Sequence, residues 1–196
     1  MMLGGVYSMS FTTAPLLFHE TMVVAKLWGQ ERNWEVVRER VLSGNLLQMR
    51  TANSAKRIFS EISSWLKRLT PLQVEMLLAS GRREQNYLLW LAFCKRYRFV
   101  YDFAVEVVRE KFLRLDLALG YEAYEIFFDD KAEWHPEVGR VAEATRKKQR
   151  QFLFRIMKEV ALLTEQNEII PAVLSPQLTA VLCDDDPAHL AIYPVR

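Results

Sequence analysis

The chain has 196 residues, 51% of them hydrophobic and 26% charged, with a formal net charge of +2. That length holds one domain or two small ones around a sound core, and Cys94 and Cys183, with no CxxC pair, exclude a disulfide framework and a thiolate zinc site. The longest apolar run, Tyr87 to Cys94, is far short of the ~18–20 residues that cross a bilayer, and Met1 to Ser10 has no basic residue ahead of an apolar stretch. The expectation is therefore a cytoplasmic protein with no membrane or secretory segment.

Only seven Gly and seven Pro interrupt the chain, so helix should dominate. Residues 1–15 read as an irregular lead-in. A helix is predicted over 18–28, stopped by Gly29, and a second from the cap Asn33 through Trp34, Val37 and Val41 to Gly44. A third begins at Asn53 or Ser54. Its apolar residues Ala55, Ile58, Phe59, Ile62, Trp65, Leu66 and Leu69 recur at the spacing of one buried helical stripe. Thr70-Pro71 caps and opens a short helix that ends at Gly81. Residues 82–97 form the most apolar helix, through Leu88, Leu89, Trp90, Leu91 and Phe93, with Cys94 as a small buried hydrophobe. Residues 99–117 continue with Val100, Phe103, Val107, Val108 and Phe112 inward until Gly120, and 121–130 are helical.

At His135-Pro136 the composition turns from acidic-aromatic to basic. A short helix covers 137–143, and a long one follows Thr145 with Leu153, Ile156, Val160 and Leu163 inward. Thr164 to Glu168 is a polar turn, and Ile169 to Leu174 a strand candidate that Pro171 confines to an edge. Ser175-Pro176 opens a helix to Cys183, Asp184 to Pro187 is an acidic turn, and Leu190 to Val195 is a last strand candidate.

Charge is distributed unevenly over these elements. Arg140, Arg146, Lys147, Lys148, Arg150, Arg155 and Lys158 stand against Glu143 alone, and Arg50, Lys56, Arg57, Lys67 and Arg68 against Glu61 alone. These twelve basic and two acidic residues leave 14 basic and 22 acidic, or −8, for the rest of the chain. Two basic helical windows on an otherwise acidic body suggest a polyanionic partner.

Arg146 to Gln151 contains no apolar residue for more than a turn, which predicts a helix start that projects into solvent. Cations there oppose the helix dipole at roughly 0.3–1 kcal/mol each, and phosphates would compensate them. The preceding short helix, the Ala144-Thr145 turn and this helix read as a helix-turn-helix, with the following turn and edge strand as its wing. The alternative is a solvated cationic face that binds nothing. The Arg50 to Arg57 stretch repeats the logic after two preceding helices, the minimal helix-turn-helix order; its alternative is an internal Arg57–Glu61 pair. Lys95-Arg96-Tyr97-Arg98 lies at a helix C-terminus, where cations complement the dipole, so its reading is structural. His19, His135 and His189 follow no metal spacing, no nucleophile or P-loop motif is present, and Asp184-Asp185-Asp186 and Asp129-Asp130 read as solvated acidic turns. No enzyme, cofactor or metal is expected.

The ordered segments Asn33-Trp34 with Val37-Arg38, Asn45-Leu46-Leu47-Gln48 and Ser54-Ala55-Lys56-Arg57-Ile58 continue with Phe93-Cys94-Lys95-Arg96-Tyr97, Asp102-Phe103 and Val107-Val108-Arg109-Glu110. They end with Thr145-Arg146-Lys147-Lys148, Lys158-Glu159 and Leu174-Ser175-Pro176. This set resembles the BrxA family of bacteriophage exclusion (BREX) phage-defence systems over nearly the whole chain. One departure is Val160-Ala161, where alanine and glycine are expected before the leucines. The resemblance implies a small, all-α, non-enzymatic protein encoded beside a DNA methyltransferase, binding double-stranded DNA through two helix-turn-helix elements.

The expected fold is mainly α. It is a compact helical bundle with an N-terminal helix-turn-helix region (1–70), a central helical core (71–134) and a C-terminal winged-helix-like region (135–196). The expected partner is double-stranded DNA, bound by a monomer through Arg146, Lys147, Lys148 and Arg150 first, then Lys56, Arg57 and Arg50. Thr51, Asn53 or Gln149 would offer weak base reading. The rival expectation is an adaptor whose basic helices dock on acidic faces of other phage-defence proteins.

Overall fold

The computed structural model describes residues 6–12 and 15–195, so part of the predicted lead-in lies outside the described residues. The chain is mainly α-helical. Its first three helices are α1 (Phe18–Glu31), α2 (Trp34–Ser43) and α3 (Ala52–Leu66), each packed on the other two. Asn33 Oδ1 caps α2 by accepting from the N–H groups of Glu35 and Val36, at 2.9 and 3.3 Å. Helix α3 begins at Ala52, just ahead of the expected Asn53 or Ser54, and Thr51 caps it, its Oγ1 accepting from Ser54 N at 3.1 Å.

Gly29 does not stop α1. A Cβ there would lie 2.9 Å from Leu78 Cδ1, so the glycine serves the close approach of α1 to α4 (Pro71–Ala79), and the helix runs on to Glu31. Thr70 and Gln73 close the reciprocal capping box that opens α4.

Helix α5 (Arg82–Arg96) is the axis of the core: every residue from Tyr87 to Cys94 is buried. Trp90 Nε1 donates to the Ile192 carbonyl at 3.1 Å, and the Tyr193 hydroxyl donates to the Tyr87 carbonyl at 2.7 Å, which fastens the chain's end to this helix. One rod follows, made of α6 (Arg98–Phe103), a wider π-helical turn at Ala104–Arg109, and α7 (Glu110–Leu113). The described part of the lead-in, residues 6–12 and 15, has an irregular backbone but a buried purpose. Tyr7 and Phe11 sit in the core, and the Tyr7 hydroxyl donates to Asp102 Oδ2 at 2.7 Å.

Helices α8 (Tyr121–Trp134), α9 (Pro136–Gly139) and α10 (Glu143–Glu159) complete the body. The turn expected at Ala144-Thr145 is already helix; the chain turns at 140–142 and Ala142 precedes α10. Beyond α10, Leu162 N bonds the Met157 carbonyl at 2.9 Å and Ala161 N the Lys158 carbonyl at 3.0 Å. This closure requires a left-handed residue, and Ala161 supplies it with φ 59°.

The predicted strands reduce to isolated antiparallel bridges among the described residues. Leu163 pairs with Ile169, and Ala118 with Glu168. Backbone bonds Leu119 N to Asn167 O (2.9 Å), Ile169 N to Leu117 O (2.8 Å) and Ile170 N to Leu162 O (3.0 Å) bind three short segments beside α10. Pro171, with no N–H, ends the pairing. The last strand candidate is instead a 3₁₀ helix, Pro187–Ile192, following α11 (Pro176–Asp185). Proline at its first position, with Asp186 Oδ1 accepting from Ala188 N at 2.8 Å, favours the helical start over a strand.

Candidate nucleic-acid interface

Helix α3 buries Ala55, Ile58, Phe59, Ile62, Ser63, Trp65 and Leu66. The residues left outside are Asn53, Lys56, Arg57, Ser60 and Lys67, all exposed, with Arg50 just before the helix and Arg68 just after it. Among the described residues, none of these five cations is ion-paired to a carboxylate. Glu61, the one acid of the window, is withdrawn: Trp65 Nε1 donates to its Oε1 at 3.1 Å and the Tyr97 hydroxyl donates to the same oxygen. The Arg57–Glu61 pair of the alternative reading is therefore not formed among the described residues. A shallow concavity of about 600 Å³ at the end of α3 is lined by Ser60, Ser63, Ser64, Lys67, Arg68 and Arg96, with no carboxylate on its wall. Arg96 is pre-positioned there, its Nε donating to Ser64 Oγ at 3.3 Å and its guanidinium 4.9 Å from the Tyr97 ring. Lys67 Nζ lies 5.2 Å from the Trp34 ring.

The start of α10 is different from its sequence expectation. Lys147 and Lys148 project into solvent, but Arg146 and Arg150 do not: their side chains are 20% and 18% exposed. Glu125 of α8 ion-pairs with both, reaching Arg150 Nη1 at 2.5 Å, and Arg146 Nη1 donates to Asp129 Oδ1 at 2.5 Å. The guanidinium of Arg146 stacks 4.3 Å over Phe128, and that of Arg150 lies 4.5 Å over Tyr121. Gln149 is fully buried and donates to the Met9 carbonyl. A polar stretch can leave solvent when flat guanidinium groups stack on rings and meet carboxylates. Glu125 and Asp129 stand one helical turn apart, as Arg146 and Arg150 do. That matched spacing was the available signal, hidden because the two pairs are about twenty residues apart in sequence.

Lys95 and Arg98 are structural, as expected: Lys95 Nζ lies 2.7 Å from Asp185 Oδ2, and Arg98 Nε 2.8 Å from Asp102 Oδ1. Of the other cations near α10, Arg155 pairs with Glu159 at 3.5 Å and Lys158 with Glu165 at 3.7 Å. The predicted residues thus fall into two groups. Among the described residues, Arg50, Asn53, Lys56 and Arg57 are exposed and unpaired on the α3 side, as are Lys147 and Lys148 on α10, whereas Arg146 and Arg150 are already engaged. Ser60, Ser64, Lys67, Arg68 and Arg96 join the α3 group. Sequence reading placed Arg96 with the dipole-compensating cluster because the α3–α5 contact that brings it beside Ser64 is long-range. No helix of the described residues is long and apolar enough to cross a membrane.

A family model for BrxA matches residues 5–186 of the chain. The BREX protein BrxA of Bacillus cereus (strain H3081.97) is 27% identical over 161 residues, which cover 82% of this chain and 80% of that one. The BREX protein BrxA of Escherichia coli O9:H4 (strain HS) is 25% identical over 170 residues, covering 86% and 80%. The crystal structure of an uncharacterized protein from Magnetospirillum magneticum aligns with a TM-score of 0.83 at 19% identity, over 97% of this chain and all of that one, a likeness of fold.

Proposed function

The chain belongs to the BrxA family, and from that premise we propose that it is a non-enzymatic component of a BREX phage-defence system that binds double-stranded DNA. The contacts are mainly to phosphates, so sequence preference is weak. The observation that carries this reading is the α3 face: Arg50, Lys56, Arg57, Lys67 and Arg68 have no carboxylate paired to any of them among the described residues, and Arg96 joins Lys67 and Arg68 in one concavity at the end of the helix. An uncompensated row of cations gains most by releasing counterions from a phosphate backbone. Three mutually packed helices, the last amphipathic and basic on its outer face, support a helix-turn-helix use of α1 to α3. Asn53 and Thr51 stand at the start of that helix, where base edges would be met, but cations outnumber them. On the α10 side, the order of helix, paired segment, helices, paired segment and turn supports a winged arrangement with Lys147 and Lys148 as its free cations.

The test is a salt titration of binding to a random-sequence duplex. Lys56→Ala with Arg57→Ala should weaken binding to every sequence. It should also flatten the dependence of log K on log salt by about 0.9 for each phosphate that is no longer neutralised. An unchanged slope removes α3 from the interface.

A second reading, an adaptor that docks through an apolar surface rather than through its basic helices, is favoured by a separate observation. Leu113, Leu115, Leu117, Ile126 and Trp134 are exposed apolar side chains within one stretch, Trp134 at 80%. Duplex binding that appears only when other defence proteins are added would support it.

A further inference from the structure

We infer that the start of α10 is a latent phosphate-binding surface, whose two arginines are held by Glu125 and Asp129 of α8 in place of phosphates. This rests on the DNA-binding reading and assigns α8 a role within it. Arg146, Arg150, Glu125 and Asp129 form a neutral foursome, so of the four cations at the start of α10 only Lys147 and Lys148 are exposed, with Glu143 beside them. The arginines are aligned rather than loose. Each guanidinium is stacked on a ring, Phe128 or Tyr121, and Arg146 Nη2 also donates to the Glu125 carbonyl at 2.9 Å.

The acids are unequal in burial. The Asp129 side chain is 67% exposed and that of Glu125 31% exposed, so Asp129 can leave at little cost while Glu125 is the firmer partner. Glu125, Glu143, Arg146, Lys147 and Arg150 line one open concavity of about 420 Å³, so an incoming anion reaches both guanidinium groups from the same side as Lys147. A carboxylate and a phosphodiester oxygen present the same acceptor to a planar guanidinium fork. A polyanion therefore engages α3 directly, and gains α10 only by displacing the carboxylates of α8.

The experiment compares salt slopes on one random-sequence duplex for the parent, Glu125→Gln/Asp129→Asn, and that double variant carrying Arg146→Ala and Arg150→Ala. Freeing both arginines should tighten binding and steepen the slope by about 0.9 each, and removing them should return it to the parent value. A slope in Glu125→Gln/Asp129→Asn equal to the parent's overturns the inference. If the double variant melts below the assay temperature, Asp129→Asn alone serves, with an expected steepening of about 0.9. Binding by the double variant but not by the parent would sustain the latent surface while refuting the α3 reading. No binding by either refutes both.

Discussion

The carboxylate of Glu61 accepts a hydrogen bond from the hydroxyl of Tyr97, 36 residues away, and by this contact the only acid of the α3 window is drawn off the basic face. Tyr97 is fully buried. Burial first, then the hydrogen bond to Glu61 and its charge, hold the Tyr97 hydroxyl protonated far above the usual phenol range. Removing it with Tyr97→Phe leaves Glu61 with Trp65 alone. We expect a loss of about 1.5 kcal/mol and a fall in Tm of about 3–6 °C by thermal unfolding. An unaltered Tm would mean that the hydrogen bond contributes nothing net.

Asp185 gathers three donors at the seam of α4, α5 and α11. Lys95 Nζ lies at 2.7 Å, Gln73 Nε2 at 3.1 Å and His189 Nε2 at 3.0 Å. Burial alone would raise its pKa, but the hydrogen bonds from Lys95 and Gln73, with the charges of Lys95 and His189, bring it below the ordinary carboxylate value. A carboxylate with a folded pKa below its unfolded one stabilises the fold above about pH 4, and loses that contribution as the pH falls through the folded value. Asp185→Asn should therefore be less stable than the parent by about 2 kcal/mol at pH 7, and the gap should close in acid. Thermal melts from pH 7 to pH 2 measure it; a gap independent of pH would contradict the assignment.

Ala161 occupies the left-handed position that ends α10, with φ 59°, where glycine carries no Cβ penalty. Leu162 is buried directly beyond it, so the conformation is enforced by packing. Ala161→Gly relieves about 1–2 kcal/mol of native strain and gives back part of it through a more flexible unfolded chain. The expected net is a stabilisation of about 0.5 kcal/mol, read as a small rise in Tm. A drop in Tm would show that the strain is not there.

The sequence by itself determined the helical class, because burial at i, i+3, i+4 spacing and short-range caps are local quantities. Leu153, Ile156, Val160 and Leu163 are buried as their spacing required, and Asn33, Thr70 and Ser175 cap the helices that follow them. The unevenness of charge was also legible, since it needs only counting. What the tertiary structure decided was which cations remain free. Arg146 and Arg57 look alike in sequence, each basic in the first turn or two of a helix. Their fates differ because α8 brings Glu125 and Asp129 to the first, while the α3–α5 contact takes Glu61 from the second. Ion pairing depends on distance in space, and helices separated by tens of residues set that distance only when the core between them has packed.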